Sequence, residues 1–534
     1  MTRALPYYYY RSPGQRQISI RGGAQSQSAL LAGDEAAVLV IDFTDDAFAG
    51  SGHYGSAYVR SSSVVTYNSH PYGLLSYTSP SNKLTRKSDG VFRFGAHNLY
   101  LNSAAPANQS ITVVSGATYS VTITGSVSVT ASGAATGTWT AGTNTFTAAT
   151  GTLALGSTSG AGTVHVRRTP SDSLYLATTS AARYALPFEW DASGNLIGIV
   201  REPGATNLML PSTPTSGGGN ITWSANTTDV TDIFGTNTAS KMTVTSTGAA
   251  TFSNSATVAA TSATSSVIVR KGSGATDLNA HVLRNGTTAT ILLSITVNYD
   301  TLAITYVTGS SGASIEELGN GWLLITMTVT SGITSGDSIQ QYIGAVGDSE
   351  TAGETLYLMH RQMEPTPYGT SPILTYGAAA TRFVDQISVA QTTLPAIGTA
   401  YALYFEGEML SHRAANEYGV HYGTTDIAGI FLRASGAAIA QLAYDGTIQA
   451  DLSTGSTATA NTTFRAAAAF EANDFRLAIN GGAVATDNSG TLPTDFTSLL
   501  FGHNGHIRIK KVAVFYRELS DAELISLSGT GALS

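Results

Sequence analysis

From Ser110 onward the sequence alternates: Ile111, Val113, Tyr119, Val121, Ile123, Val127 and Val129 are separated mostly by Thr and Ser, with Gly116, Gly125, Gly133 and Gly137 between the runs. A period of two sends successive side chains to opposite faces of a strand, and turn residues at about every eight to twelve positions leave room only for short antiparallel strands. The segment GTWTAGTNTFTAATGTLALGS carries the pattern on to about residue 170. Threonine keeps β propensity while staying hydrophilic, so such a domain remains soluble with little charge. That matters here because only 12% of residues are charged, against roughly 25% in ordinary globular proteins.

The chain has 534 residues, which predicts several domains. With 27 basic and 35 acidic residues the formal charge is −8. That balance opposes a nucleic-acid surface, which needs clustered Lys and Arg against phosphates. Cysteine is absent, removing disulfides, thiolate metal sites and cysteine nucleophiles. No apolar run approaches the roughly 18 residues of a membrane span, so no membrane insertion is expected. The start, MTRALPYYYYRSPGQRQ, has no apolar stretch behind Arg3 and does not read as a secretory signal.

Read along its length, the sequence divides into five stretches. Residues 1–35 lack either period and carry Arg3, Tyr7, Tyr8, Tyr9, Tyr10 and Arg11. An arm of this kind has no core of its own, and Tyr and Arg are the residue types that dominate interfaces, so it is expected to dock on a partner. Residues 36–182 are a Ser/Thr/Gly-rich β region with a small β domain from about residue 91; the apolar run 38–43 suits a buried strand. Residues 183–210 form a hairpin and linker, with Asp191 to Asn195 as its turn. Residues 211–385 hold strands at about 241–244, 265–270, 289–297, 302–307, 322–329 and 355–359, as in a jelly roll. Residues 386–534 hold strands at about 400–406, 429–433, 439–444, 464–471, 474–479 and 506–516. They close on LSDAELISLS, a helix with Ser520 as N-cap and Glu523 completing a capping box. The expected class is therefore all-β and multi-domain: antiparallel β-sandwiches, or jelly rolls, with an extended N-terminal arm.

Two stretches carry a resemblance. SSVIVRK at 265–271, ELGNGW at 317–322, QME at 362–364 with PYGTSP at 367–372, and AATRFVD at 379–385, led in by REPGATNL at 201–208, resemble the carbohydrate-binding-module-like jelly roll of tailed-bacteriophage fibre and virion proteins. DFRLAINGG at 474–482, GHIRIKKVAVFYR at 505–517 and the closing LSDAEL resemble the concanavalin-like lectin/glucanase sandwich. The resemblance implies a virion localisation, as a fibre, spike or capsid-decoration component of a phage or phage-like particle, with modules that in relatives often bind glycans. Its implied partners are other virion proteins of capsid, neck or tail, reached through the arm, and host-surface glycans. The implied assembly is a homo-oligomer, most simply a trimer. Residues before about 180 carry only a looser similarity to the Ser/Thr-rich modules of such fibres.

The site candidates follow from residue chemistry. Tyr418, His421 and Tyr422, in the loop-like NEYGVHYG, are candidate ligand contacts, with packing as the alternative. Glu316 and Glu317 beside Asn320, Gly321 and Trp322 could bond sugar hydroxyls while a ring stacks; the Gly-Trp itself is read as a packed strand start. Glu406 and Glu408 fall on one strand face, about 7 Å apart. A glycosidase needs two carboxylates, but hydrolytic concanavalin-like proteins carry a longer motif with a third acid, where Leu410 and Ser411 stand here. His503 and His506, and separately Asp42, Asp45 and Asp46, lack a completing ligand set or the EF-hand spacing. No catalytic residue, metal or cofactor is expected. The leading reading is a non-enzymatic glycan-binding virion protein; a tail-borne glycan depolymerase and a purely architectural cementing protein are the alternatives.

Overall fold

The computed structural model describes residues 37, 39–45, 56–61, 64–68, 75–78, 83–213, 220–247, 252–274, 280–344, 351–394, 396–412, 416–423, 426–433 and 437–531. The arm residues Arg3, Tyr7, Tyr8, Tyr9, Tyr10 and Arg11 lie outside them. The class is all-β and multi-domain. Among the described residues the one α-helix is Asp521–Thr530.

The chain forms two units. One gathers the residues up to 76, residues 196–201 and residues from 386 onward; the other takes 77–195 and 202–385.

The first unit is a two-sheet sandwich. Its larger sheet runs in the order Val64–Asn68, Ser56–Ser61, Leu39–Asp42, His506–Phe515, Ala400–Ser411, Thr463–Glu471, Asp474–Ile479, Ala485–Asp487, and Leu196–Arg201 also pairs with His506–Phe515. The smaller sheet contains Ile448–Thr457, Ala438–Tyr444, Ile427–Leu432, Glu417–Gly423, Ser498–Phe501 and Gln386–Ala390 in that order. Rings fill the space between the sheets: Tyr401 stacks on Phe470 at 5.0 Å and meets Tyr422 edge-on at 5.8 Å. The helix covers the opposite face of the larger sheet, where Leu524 and Leu527 enter a core with Ala467, Ala469 and Ala478. Small alanines bring the helix close, and Gly481 (φ +73°) lies where a Cβ would stand 3.1 Å from the Gly529 Cα. The helix begins on the expected capping box, with Ser520 and Glu523 each satisfying the other's backbone N–H.

This arrangement corrects the reading of residues 36–182 as one region. The strand Leu39–Asp42 pairs in register with residues 511–514 of the last strand rather than with the Ser/Thr-rich domain. Its four residues are all buried, and a strand that is apolar toward both faces needs cover on both; the larger sheet supplies the core on one side and further protein on the other.

The second unit contains the Ser/Thr-rich domain and the jelly roll. In the former, one sheet of Gly137–Trp139, Ser128–Gly133, Thr152–Ser159 and Gln109–Thr112 faces another of Gly142–Thr147, Thr118–Ile123 and Val164–Arg168. The alternating residues Ile111, Val113, Tyr119, Val121, Ile123, Val127 and Val129 form its core. The jelly roll packs the sheet Ile221–Ser224, Ser240–Val244, Thr355–Glu364, Ala263–Lys271, Trp322–Val329, Ala313–Gly319 on Phe252–Val258, Asp337–Ile343, Ala280–Asn285, Thr290–Asn298, Ala303–Thr308. Strand Thr355–Glu364 is buried at all ten positions.

Four of the motif residues behind the jelly-roll resemblance, Glu202, Ser371, Arg382 and Asp385, meet in one structural clasp. Ala205–Asn207 pairs with Ala380–Arg382, so the module's two ends meet. The buried Glu202 carboxylate receives Arg382 at 2.5 Å and Lys83 at 2.9 Å, together with the N–H and hydroxyl of Ser371. Asp385 accepts the Glu202 N–H at 3.0 Å. These residues fix closure of the fold, which is why their pattern marks the module and not a ligand.

Candidate functional site

On the outer face of the smaller sheet in the first unit, strands Glu417–Gly423, Ile427–Leu432, Ala438–Tyr444 and Ile448–Thr457 present a groove of about 440 Å³. Ile427, Phe431, Leu442, Tyr444 and Ile448 line it, with Asn416, Arg433 and Asp451 as its polar members. The period of two selects them: Ile427, Gly429, Phe431 and Arg433 share one strand face, and register pairing sets Leu442 opposite Gly429 and Tyr444 opposite Ile427. Ile448 is 65% exposed, a large apolar side chain left in water at the groove's edge. Arg433 grips Asp451 with two bonds, Nη1 to Oδ2 at 2.9 Å and Nη2 to Oδ1 at 2.6 Å, and its guanidinium lies 5.8 Å from the Phe431 ring centre.

Next to the groove, rings lie over the same face. Tyr418 stacks on Phe431 at 5.7 Å and meets His421 at 4.4 Å; His503 lies 5.2 Å from His421 and 5.9 Å from Tyr418. In a regular strand residues 418 and 421 point to opposite faces. A bulge between Tyr418 and Val420 brings them to the same one. His421 then crosses Gly429, where a Cβ would stand 2.2 Å from its own, so only glycine fits opposite it. Burial, with the neighbouring His503 adding to it, pushes the His421 imidazole down to about 3. Burial and then Arg201 lower His503. Both rings are therefore neutral at neutral pH and serve as flat surfaces, not cations.

The sequence candidates separate. NEYGVHYG is a strand and not a loop. Tyr418 and His421 reach the outer face but are 7% and 3% exposed, so they back the groove more than they line it. Tyr422 turns inward: it is fully buried, stacked on Phe496 at 5.1 Å, with its hydroxyl 3.1 Å from that of Tyr516. Its proposed ligand contact is corrected, since the bulge that aligns Tyr418 with His421 necessarily points the next residue into the core. Glu316 and Glu317 belong to the second unit, on the edge strand Ala313–Gly319 of the jelly roll. Both are exposed, and Glu316 lies 3.9 Å from Arg86. Trp322 is buried and donates its indole N–H to the Thr231 carbonyl at 2.9 Å, so it gives these acids no stacking face. Phe431, Arg433, Tyr444, Ile448 and Asp451 were not singled out by sequence; alternation within residues 427–433 and the unpaired apolar Ile448 were the available signals.

The two strand carboxylates are engaged. Glu406 pairs with Arg465 at 3.0 Å and accepts the Tyr404 hydroxyl at 2.8 Å. Glu408 meets Arg508, Lys510 and the Thr463 hydroxyl. Burial pushes the Glu408 carboxyl up, but Lys510 and Arg508 outweigh it and hold the group below its ordinary value. His506 shares a hydrogen with the Ser411 hydroxyl at 2.7 Å. Among the described residues no three His, Asp or Glu side chains gather to hold a metal ion.

No family model matches the sequence, and the search of curated proteins finds no match. Among solved structures the chain is similar to a Trypanosoma rangeli sialidase, at 9% identity and TM-score 0.23, over 27% of this chain and 26% of that one. A carbohydrate-binding module of the β-sandwich superfamily is 16% identical over 54% of this chain and 96% of its own, with TM-score 0.19. Domains LG4-5 of the mouse laminin alpha1 chain are 9% identical over 61% and 93%, also at 0.19. The match thus spans about a quarter of the sialidase. The sandwich architecture rests on the strand pairing described above.

Proposed function

We propose that this chain is a non-enzymatic virion protein of a tailed phage or phage-like particle, anchored by its N-terminal arm and displaying β-sandwiches that bind host-surface glycans. One observation supports glycan binding above the rest: the groove of the first unit combines an apolar floor, the Tyr444 ring and a hydrogen-bonding rim of Arg433, Asp451 and Asn416. Sugars present both faces at once, an apolar ring face that packs on side chains and hydroxyls that need donors and acceptors. The ion-paired state of Glu406 and Glu408 favours a binding role over hydrolysis, because each carboxylate has its cations already in place. Virion placement rests on the resemblance of the motif residues. The trimer rests on the same resemblance and on the gain in avidity when several weak sites face one surface.

The test is a glycan array probed with the full chain and with Tyr444→Ala and Arg433→Ala. The expected result is binding to a defined set of glycans, lost at least tenfold in both variants. Binding that is absent, or indifferent to both changes, overturns the groove as the site. Deleting residues 1–35 is expected to abolish incorporation into particles; truncated protein at normal copy number would remove the arm as anchor. Light scattering of the purified chain decides the trimer, and a monomer at micromolar concentration excludes it.

A further inference from the structure

The second unit holds a cavity of about 420 Å³ whose walls come from the Ser/Thr-rich domain and from residues 372–374 and 380–382 of the jelly roll. Its volume falls in the roughly 300–1,000 Å³ range of small-molecule sites. Among the described residues the charges on its wall are one-sided: Arg168 and Arg382 line it, and no Asp or Glu does. Arg382 is neutralised, since its guanidinium binds Glu202 and the Pro203 carbonyl. Arg168 is not. Its guanidinium sits 4.9 Å from the Phe94 ring centre and 5.7 Å from that of Tyr376. Its Nε and Nη2 are covered from solvent and have no hydrogen-bond partner among the described residues.

His97 does not offset or add to this charge. Its Nδ1 faces the Gly95 carbonyl at 2.9 Å, and its Nε2 accepts the backbone N–H of Arg168 at 2.8 Å. An imidazole that accepts at Nε2 is neutral. The rest of the wall is apolar or neutral and hydrogen-bonding, including Gln109, Ser110, Thr112, Tyr184 and Thr381.

A cation held between two rings, partly covered and without a counter-charge, is costly unless an anion completes it. The planar guanidinium suits a carboxylate, and one cation in an otherwise neutral wall suits a monoanion better than a phosphate dianion. The hydroxyl groups of Ser110 and Thr112 on the same wall suit a polyhydroxylated ring, while the Gln109 amide is engaged with the Leu101 backbone. We infer that this cavity binds a carboxylated sugar, a uronic-acid unit either free or at the end of a chain, with its carboxylate on Arg168. The site lies wholly in the second unit and does not depend on the groove proposed above.

Isothermal titration of the full chain with sodium D-glucuronate, with D-glucose and with a glucuronate-terminated disaccharide tests this. Glucose keeps the ring but replaces the carboxylate with a hydroxymethyl group. The expected result is binding of glucuronate and not of glucose, lost at least tenfold in Arg168→Gln and kept in Arg167→Gln. Tighter binding of the disaccharide than of free glucuronate identifies a chain end as the natural form; the reverse identifies the free acid. Equal binding of glucose and glucuronate, no binding of either acid to the unaltered chain, or glucuronate binding that survives Arg168→Gln each overturns the inference. The comparison of the two sugars on the unaltered chain holds even where Arg168→Gln fails to fold.

Discussion

The C-terminal sandwich and the jelly roll are each two antiparallel sheets around an apolar core, but they close in different ways. The jelly roll closes on itself: Ala205–Asn207 meets Ala380–Arg382, and the clasp around Glu202 joins the ends. The C-terminal sandwich completes its larger sheet with strands from far upstream, Leu39–Asp42 and Leu196–Arg201, both paired to His506–Phe515. They also treat charge differently. Ion pairs on the larger sheet of the sandwich link neighbouring strands, through Asp42 with Lys511, Glu406 with Arg465 and Glu408 with Arg508. The jelly roll and the Ser/Thr-rich domain use hydroxyl pairs at the equivalent places, such as Thr264 with Thr328 and Thr124 with Thr163. Local motifs mark both sandwiches, but they bound only the one whose ends meet; the strands that complete the other from a distance carry no motif that ties them to it.

The most severe way to break this comparison is at the borrowed strand. All four tryptophans, Trp139, Trp190, Trp223 and Trp322, lie in the second unit, and Trp139, Trp223 and Trp322 sit on strands of that unit's own sheets, so the fluorescence follows chiefly that unit. Val40→Asp places an unpaired charge in the fully buried core shared with Ala402, Ala513 and Leu524, a change that costs on the order of 4 kcal/mol or more. The expected outcome is proteolysis within residues 386–534 under native conditions, with the tryptophan unfolding transition in place. Unchanged protease resistance would falsify the structural role of the borrowed strand.

The converse change is Glu202→Ala. It leaves Arg382 and Lys83 buried, at 2% and 4% exposure, without their shared carboxylate. Removing one partner of a buried ion pair costs about 3–5 kcal/mol. The tryptophan transition should move to lower denaturant by that amount, while protease resistance of the C-terminal sandwich stays as it was. A shift below about 1 kcal/mol would mean that the clasp behaves like a surface pair.

These two changes also mark what was legible. Strand 322–329 stands where alternation and β-branched residues put it, because one face lies in a core and the other is less buried, and strand 474–479 shows the same alternation at its start, with Phe475 inward between Asp474 and Arg476. Glu417–Gly423 was missed as a strand because all seven residues are buried and it contains Gly419 and Gly423, so no alternation appears. Asp337–Ile343 alternates cleanly in burial, but Gln340 and Gln341 interrupt the apolar pattern that would announce it. The groove was half visible. His421 was singled out by its chemistry, but the bulge that turns Tyr418 to the same face is a property of strand register, and residue types alone do not encode it.

A third test separates the units by pH. Burial pushes the Glu364 carboxyl in the jelly roll up to about 7, against the opposing hydrogen bonds from Thr370 and Gln362 and the charge of Arg382. In the unfolded chain it ionises near 4.5. Its contribution is therefore most favourable below 4.5 and is lost as pH rises through about 7, because the unfolded state gives up its proton first. The buried His281 and His360, each pushed down to about 4 by burial, act oppositely: their contribution is present above the unfolded value of 6.5 and is lost as pH falls toward 4. Glu364→Gln removes only the first effect. The variant's tryptophan transition should gain on that of the unaltered chain between pH 5 and pH 8, by up to about 1.4 kcal/mol per pH unit. A constant offset across that window would show that Glu364 does not titrate there.

The smallest expected effect bears on the difference between charge and hydroxyl pairing. Glu408 lies between Arg508 and Lys510 on the larger sheet, with 12% of its side chain exposed against 15% and 21% for its partners. Pairs this close to solvent are worth roughly 1 kcal/mol or less, and salt screens them within about 10 Å at 0.1 M. Glu408→Gln should lower the stability of the C-terminal sandwich by that amount in dilute buffer, and the loss should shrink in 1 M NaCl. Thr124→Val, which removes the hydroxyl pair with Thr163 at 2.7 Å, should change the Ser/Thr-rich domain by a similar or smaller amount that salt leaves alone, since no net charge is involved. The Glu406→Gln, Glu408→Gln double variant carries the same measurement into function. As a structural pair it should leave glycan binding intact and abolish no release of reducing ends from host polysaccharide. If such release occurs with the unaltered chain and disappears in the double variant, these carboxylates are catalytic and the ion pairs around them set their charge state for hydrolysis.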